Sequence, residues 1–242
     1  MNIIKKLSLI VALFSFILLT SCLNTGKPVD EADVDYIISA IEKLENGSYS
    51  STQIKEDSLY IKETINGETH SGSQTKTTEV EYMKNDNKEY SKYKVDNGSM
   101  IEFYAETING EYQKYEKRQG KWNNVNNNHH ASSEYLDLEY YKFLITKDSM
   151  TKKDNTYYGK NEEIAKLLLN RITGGRNGED EKVEVKFFSI TIEDGIITHY
   201  ELEYIFTYEF IQDEMSEIYS IGIKVSTDYS KHDDTIIVSP LA

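Results

Sequence analysis

From residue 48 to about residue 126, apolar and aromatic side chains recur at alternate positions, among them Ile54, Leu59, Ile61, Val80, Tyr82, Tyr93, Val95, Ile101, Phe103 and Tyr112. A period of two sends successive side chains to opposite faces of a sheet, so the stretch reads as half-buried strand and not as helix. The runs are cut by Asn66-Gly67, Asn97-Gly98, Asn109-Gly110 and Gln119-Gly120. Asn-Gly between alternating runs predicts a tight hairpin, because the favoured two-residue turn needs positive φ at both positions. The hexapeptide ETINGE stands at both 63–68 and 106–111, and is read as two hairpins using the same turn chemistry. The only prolines are Pro28 and Pro240. Between them no strand is interrupted by a residue lacking a backbone donor.

The alternation returns after residue 182. Tyr200, Leu202, Tyr204, Phe206, Tyr208 and Phe210 take every second place, which predicts one strand with all six on its inward face. Asp194-Gly195 marks a hairpin before it, Tyr219 to Val225 gives a further strand, and Thr235 to Val238 a last short one. Helical spacing appears in three places. Val34, Ile37, Ile38, Ile41 and Leu44 line one side of 31–45, with acids at the start and Asn46-Gly47 as a stop. Leu136, Tyr140, Phe143 and Leu144 predict a helix over 134–145. Ile164, Leu167, Leu168 and Ile172 predict another over 161–172, with Asn161 as its N-cap.

The order is therefore helix, strands, helices, strands. It predicts an α+β fold: a curved, half-barrel-like antiparallel β-sheet, covered on its concave face by the N-terminal helix and a central helical insert. Two smaller α+β halves, divided near 127–133, are the alternative.

The N-terminus has its own pattern. Lys5 and Lys6 are followed by an almost wholly apolar stretch from Leu7 to Leu19, then by Thr20-Ser21-Cys22. A basic start, an apolar run and a small-residue cleavage site make a secretory signal. Leu19-Thr20-Ser21-Cys22 resembles the bacterial lipobox, in which the cysteine is diacylated and becomes the first residue of the mature chain. This divides the chain into a signal peptide at 1–21, a lipidated tether at 22–30 and one domain at 31–242. Cys22 is the only cysteine, so its lipidation excludes disulfides, thiol catalysis and cysteine–zinc sites. The loss of two lysines with the signal moves the formal charge from −14 to −16. A surface so acidic is repelled by nucleic acid and by anionic headgroups, so membrane attachment has to come from acyl chains. The expected location is the extracytoplasmic face of the cell membrane.

The layout resembles the LolA–LppX group of bacterial lipoproteins and lipoprotein carriers. The matching parts are the helix at 31–45, Gly120-Lys121-Trp122 at the end of the first sheet half, the helical insert at 134–172, the strand pair around Ile192-Glu193-Asp194-Gly195-Ile196, and the ending from Thr235 to Pro240. The resemblance implies a strongly curved sheet with an apolar cavity between it and its helices, in which an acyl chain or other apolar ligand is bound or carried. The candidate walls are Ile164, Leu167 and Leu168 from the helix and Tyr200, Leu202, Tyr204, Phe206 and Tyr208 from the strand. Core packing is the competing reading of the same side chains, since strands favour tyrosine.

Other motifs reduce to structure. Gly174-Gly175-Arg176-Asn177-Gly178 follows a helix, whereas phosphate-cradling loops precede one. His129-His130 lacks a carboxylate at ligand spacing, and Glu179-Asp180-Glu181 and Asp233-Asp234 lack the alternating ligands of a calcium loop. No nucleophile elbow, zinc-protease motif or cofactor fingerprint occurs. The expectation is a non-enzymatic surface lipoprotein without a cofactor or metal, partnered by the membrane and by an apolar ligand. A structural or protein-interaction lipoprotein with no small-molecule ligand is the alternative.

Overall fold

The structure, a computed structural model, describes residues 26–175, 180–212, 215–230, 232 and 237. Cys22 and the signal at 1–21 lie outside the described residues, as do most of the final strand expected at 235–238 and residues 176–179 of the glycine-rich loop. The described residues form one 12-stranded antiparallel sheet that does not close on itself, with three helices beside it.

The N-terminal half is a meander. Strand β1 (Lys27–Pro28) precedes helix α1 (Glu31–Asn46), and β2 (Tyr49–Ile65), β3 (Glu68–Asn85), β4 (Lys88–Val95), β5 (Ile101–Ile108), β6 (Glu111–Arg118) and β7 (Lys121–Asn124) follow in order. The turn residues behave as their chemistry requires. Asn66 and Gly67 have φ of 51° and 82°, and Asn109 and Gly110 have 54° and 83°. Asn97-Gly98 differs: Asp96 takes the positive φ of 48° and the link to β5 runs through Met100.

The C-terminal half comprises β8 (Met150–Lys153), β9 (Thr156–Gly159), helix α2 (Asn161–Thr173), β10 (Glu181–Glu193), β11 (Ile196–Gln212) and β12 (Met215–Ser230). The spatial order is β1-β8-β9-β10-β11-β12-β2-β3-β4-β5-β6-β7. Strand β12 thus lies antiparallel to β2 along its full length, from Met215 opposite Ile65 to Ser230 opposite Ser50. One continuous sheet replaces the alternative of two halves.

Three sequence expectations need correction. The helix expected at 134–145 is a 3-10 helix at Leu138–Leu144. Gln53 explains the late start: its side chain accepts from the Leu136 amide and donates to the Leu136 carbonyl, both at 2.8 Å. With both groups of Leu136 taken, helical pairing begins only after Asp137, which caps it through the Glu139 amide at 3.2 Å. Asn161 is not the N-cap of α2 but its first residue, and its amide donates instead to the Lys186 carbonyl on β10 at 3.2 Å. The helical insert expected over 134–172 is interrupted by the β8–β9 hairpin, which pairs with β1 and β10. Within the segment read as a tether, Lys27–Pro28 pair with β8, Val29 is buried, and Asp30 closes a capping box with Asp33.

Both halves of the sheet contribute to one core. Val80, Tyr82, Tyr93 and Phe103 join Phe188, Ile190, Tyr200 and Leu202 around Ile37, Ile41 and Leu44 of α1, Leu138 and Leu144 of the 3-10 helix, and Ile164 and Leu168 of α2. A sheet whose far strands meet the same helices has to curve around them, and the register shifts in β10 at Val185/Phe187 and Thr191/Ile192 supply local bending. No helix among the described residues is long and apolar enough to cross a membrane.

Candidate functional site

The eight candidate wall residues divide into two groups. Ile164, Leu168, Tyr200, Leu202 and Tyr204 are buried members of the core, and Leu167 is partly buried against it. Ile164, Tyr200 and Leu202 expose no surface at all, which leaves no ligand-sized void beside them. Tyr200 donates its hydroxyl to the Leu136 carbonyl, and Gln53 donates to Thr227 at 2.8 Å. The space between α2 and the middle of β11 is filled, contrary to the expected cavity. The physical reason is volume: tyrosines from β2, β3, β11 and β12, with Tyr135, occupy the middle of the concave side. Tyr82 stacks on Tyr135 at 4.0 Å, and Tyr49 meets Tyr229 edge-on at 5.4 Å.

Phe206 and Tyr208 belong elsewhere. Strands β2, β3, β11 and β12 run past the helices, and the far parts of the four form a sheet extension that the core does not reach. Residues paired directly across antiparallel strands share a face. One row therefore runs Val183–Phe206–Ile221–Leu59, and the next includes Tyr208, Tyr219 and Ile61. These rows continue the inward face of Tyr200, Leu202 and Tyr204. Yet Leu59, Ile61, Phe206, Tyr208, Tyr219 and Ile221 neither belong to the core nor pack against it. Ile221 is 46% exposed and Leu59 38%. Three strands, β11, β12 and β2, at about 4.8 Å spacing make this patch about 10 Å wide. Beyond it, Glu217 opposite Glu63 ends the apolar rows with a pair of acids, Glu217 also accepting from the Tyr219 hydroxyl at 2.9 Å. The reverse face of the extension carries Ser58, Thr75, Ser73, Ser220 and Thr207 and is mainly polar.

Among the described residues, clefts open elsewhere at four places that are lined by none of the eight residues. The widest, about 800 Å³, lies between the 3-10 helix, the end of α2 and the β3–β4–β6 side of the sheet. Its aromatic floor is the Tyr82–Tyr135 stack. Burial pushes the Glu89 and Asp137 carboxyls up from their ordinary range, while hydrogen bonds from Tyr112 and Tyr82 partly offset this for Glu89. A second cleft of about 560 Å³ is bounded by Gly26, Lys27, Asp33 and Lys152 at the N-terminal edge. There Lys152 reaches Asp33 at 2.8 Å and holds its carboxyl below the usual range.

Histidines offer little chemistry. His129 and His130 are exposed turn residues, and His199 pairs with Asp228 at 2.7 Å. Among the described residues no group of three or more His, Cys, Asp or Glu could hold a metal ion. The sequence pattern puts the inward face of 219–225, with Tyr219 and Ile221, among the candidate walls, whereas Leu59 and Ile61 read only as strand residues. The usable signal was strand length, since β2, β3, β11 and β12 are too long for the helices to cover. The cleft around Glu89 and Asp137 left no sequence signal, because its side chains come from five separate elements and the loop between them.

No protein-family model and no curated protein matches the chain. Among solved structures, a DUF1329 family protein from Desulfovibrio piger is 10% identical, covering 88% of this chain and 95% of its own, with a TM-score of 0.25. A domain named for outer membrane lipoprotein sorting, from Vibrio parahaemolyticus, is 8% identical over 86% of this chain and 94% of its own, with a TM-score of 0.23. Neisserial surface protein A is 5% identical over 72% and 96%, with a TM-score of 0.12.

Proposed function

We propose that this chain is an extracytoplasmic lipoprotein, anchored in the cell membrane by a diacylglyceryl group on Cys22, which binds an apolar, acyl-type ligand on the uncovered face of its sheet extension. The observation that carries the reading is the row Phe206–Ile221–Leu59, apolar across β11, β12 and β2 and outside the core. Contiguous exposed apolar surface on a soluble domain marks an interaction site more often than a packing accident. The chain's formal charge of −14 supports an uncharged contact, because approach to anionic lipid cannot be driven by electrostatics. Phe206 and Tyr208, two of the eight residues singled out in the sequence, lie on this face. The other six are its foundation.

The test is uptake of a fluorescent fatty acid by the mature domain. Ile221→Asp puts a charge at the centre of the patch without touching the core, and it should abolish uptake while leaving the circular dichroism spectrum unchanged. A wild-type domain that takes up no apolar probe would remove the ligand reading and leave the protein-interaction lipoprotein. Attachment is tested separately: Cys22→Ser should release the protein from membranes and stop palmitate incorporation.

A further inference from the structure

The cleft of about 800 Å³ lies on the same concave face as the uncovered apolar patch, about ten residues farther along β3, and has a different chemistry. Its charged lining is balanced, with Lys84, Lys142 and Arg171 against Glu89, Asp137 and Glu139. Each of these side chains is already committed to a neighbour or held by its surroundings. Lys84 donates to the Glu45 carbonyl at 2.8 Å, Lys142 lies 3.4 Å from Glu42, and the Arg171 guanidinium sits 5.6 Å over the Phe143 ring. Glu89 accepts from the Tyr82 and Tyr112 hydroxyls, and Asp137 accepts from the Glu139 amide. The cleft thus presents fixed donors and acceptors of both kinds with no net charge. Two tyrosine rings remain open at its walls, Tyr140 at 73% exposure and Tyr112 at 48%.

We infer that this cleft is a binding site for a neutral oligosaccharide. Three features of the cleft select that class. A pyranose carries an apolar C–H face that stacks on an exposed aromatic ring, which gives Tyr140 and Tyr112 a partner that nothing in the fold supplies. Its hydroxyls both donate and accept, matching carboxylates and cations set side by side. An opening of about 800 Å³ falls in the range of small-molecule sites and admits several sugar units. An acyl chain is excluded by the charged walls, since burying carboxylates and ammonium groups under hydrocarbon is costly. An anionic ligand gains no net attraction from balanced charges and meets an acidic molecule overall.

The experiment titrates the mature domain with maltotetraose, cellotetraose and the tetramer of N-acetylglucosamine, following saturation-transfer NMR and calorimetry. At least one should bind, and Tyr140→Ala and Glu89→Gln should each weaken that binding tenfold or more while fatty-acid uptake stays at the wild-type level. Tyr140 is exposed, so its loss does not threaten the fold. The inference is overturned if none of the three binds at about 10 mM, or if binding survives both substitutions within a factor of two. Because uptake of the apolar probe is read at the other end of the sheet, failure here is distinct from failure of the acyl-ligand reading.

Discussion

Phe188 and Ile221 both lie on sheet strands and both are large and apolar, yet the structure assigns them very different energies. Phe188 is 1% exposed and packs beside Gly159 and Ile164. Phe188→Ala removes its transfer free energy and leaves a cavity in a dense core, a combination that costs about 3–5 kcal/mol. Ile221 is 46% exposed on the extension. Burying a whole isoleucine side chain is worth about 1.5–3 kcal/mol, so the half that is buried gives about 1 kcal/mol, with no cavity cost because solvent reaches the space. In urea, with a slope of about 3 kcal/mol per molar, the midpoint should fall by about 1–1.7 M for Phe188→Ala and by about 0.3 M for Ile221→Ala. Equilibrium unfolding followed by circular dichroism measures both. Equal shifts would mean that the extension is covered in solution as the core is, and the argument for an open apolar face would fail.

Other consequences are open to measurement. A Cβ at Gly159 would stand 2.8 Å from Ile164 Cγ1 and 3.0 Å from Phe188 Cδ1, so Gly159→Ala should lower stability by about 1–3 kcal/mol in the same urea assay. Gln53→Leu leaves the half-buried amide of Leu136 without its acceptor, and should cost about 1 kcal/mol. Burial raises the Glu89 carboxyl above its unfolded value, so its ionisation opposes folding as pH rises through and above the ordinary carboxylate range. Glu89→Gln should remove that dependence, and melting curves from pH 4 to pH 7 should be flatter than for the parent. Lys152 lowers Asp33, so this pair supports folding above the ordinary carboxylate range and loses that support as pH falls below it. Lys152→Met should reduce the loss of stability on acidification.

How much of this was legible in the sequence depended on how local its cause was. Helix α1 was readable because its signals are adjacent: Asp30 and Asp33 cap it and the apolar stripe has its own period. The hairpins at Asn66-Gly67 and Asn109-Gly110 were readable because two residues fix the turn. The β8–β9 hairpin was hidden, since Met150–Gly159 has little alternation and is held by β10 on one side and β1 on the other. The 3-10 helix was misread as α because the residue that delays it, Gln53, lies 83 positions away. The inward face of β11 was identified, but where the helices stop covering it is a property of packing. Phe206 and Leu202 look alike in the sequence and differ only in what lies above them.

The seam between β12 and β2 also fixes the order in which the molecule can be finished. Ser50 and Ser230 are joined there across 180 positions, and every pair along the seam is similarly remote. As the chain emerges from its N-terminus, β2 can pair with β3 at once, whereas its other edge has to wait for β12, the last long strand. Until then β2 presents an unpaired edge of seventeen residues, with Leu59 and Ile61 on it. Such contacts are slow to form and leave a template for pairing with other chains meanwhile. Completion of the chain and folding are therefore coupled at this strand: truncation before Met215 should leave a species that aggregates through β2, however well its N-terminal meander has formed.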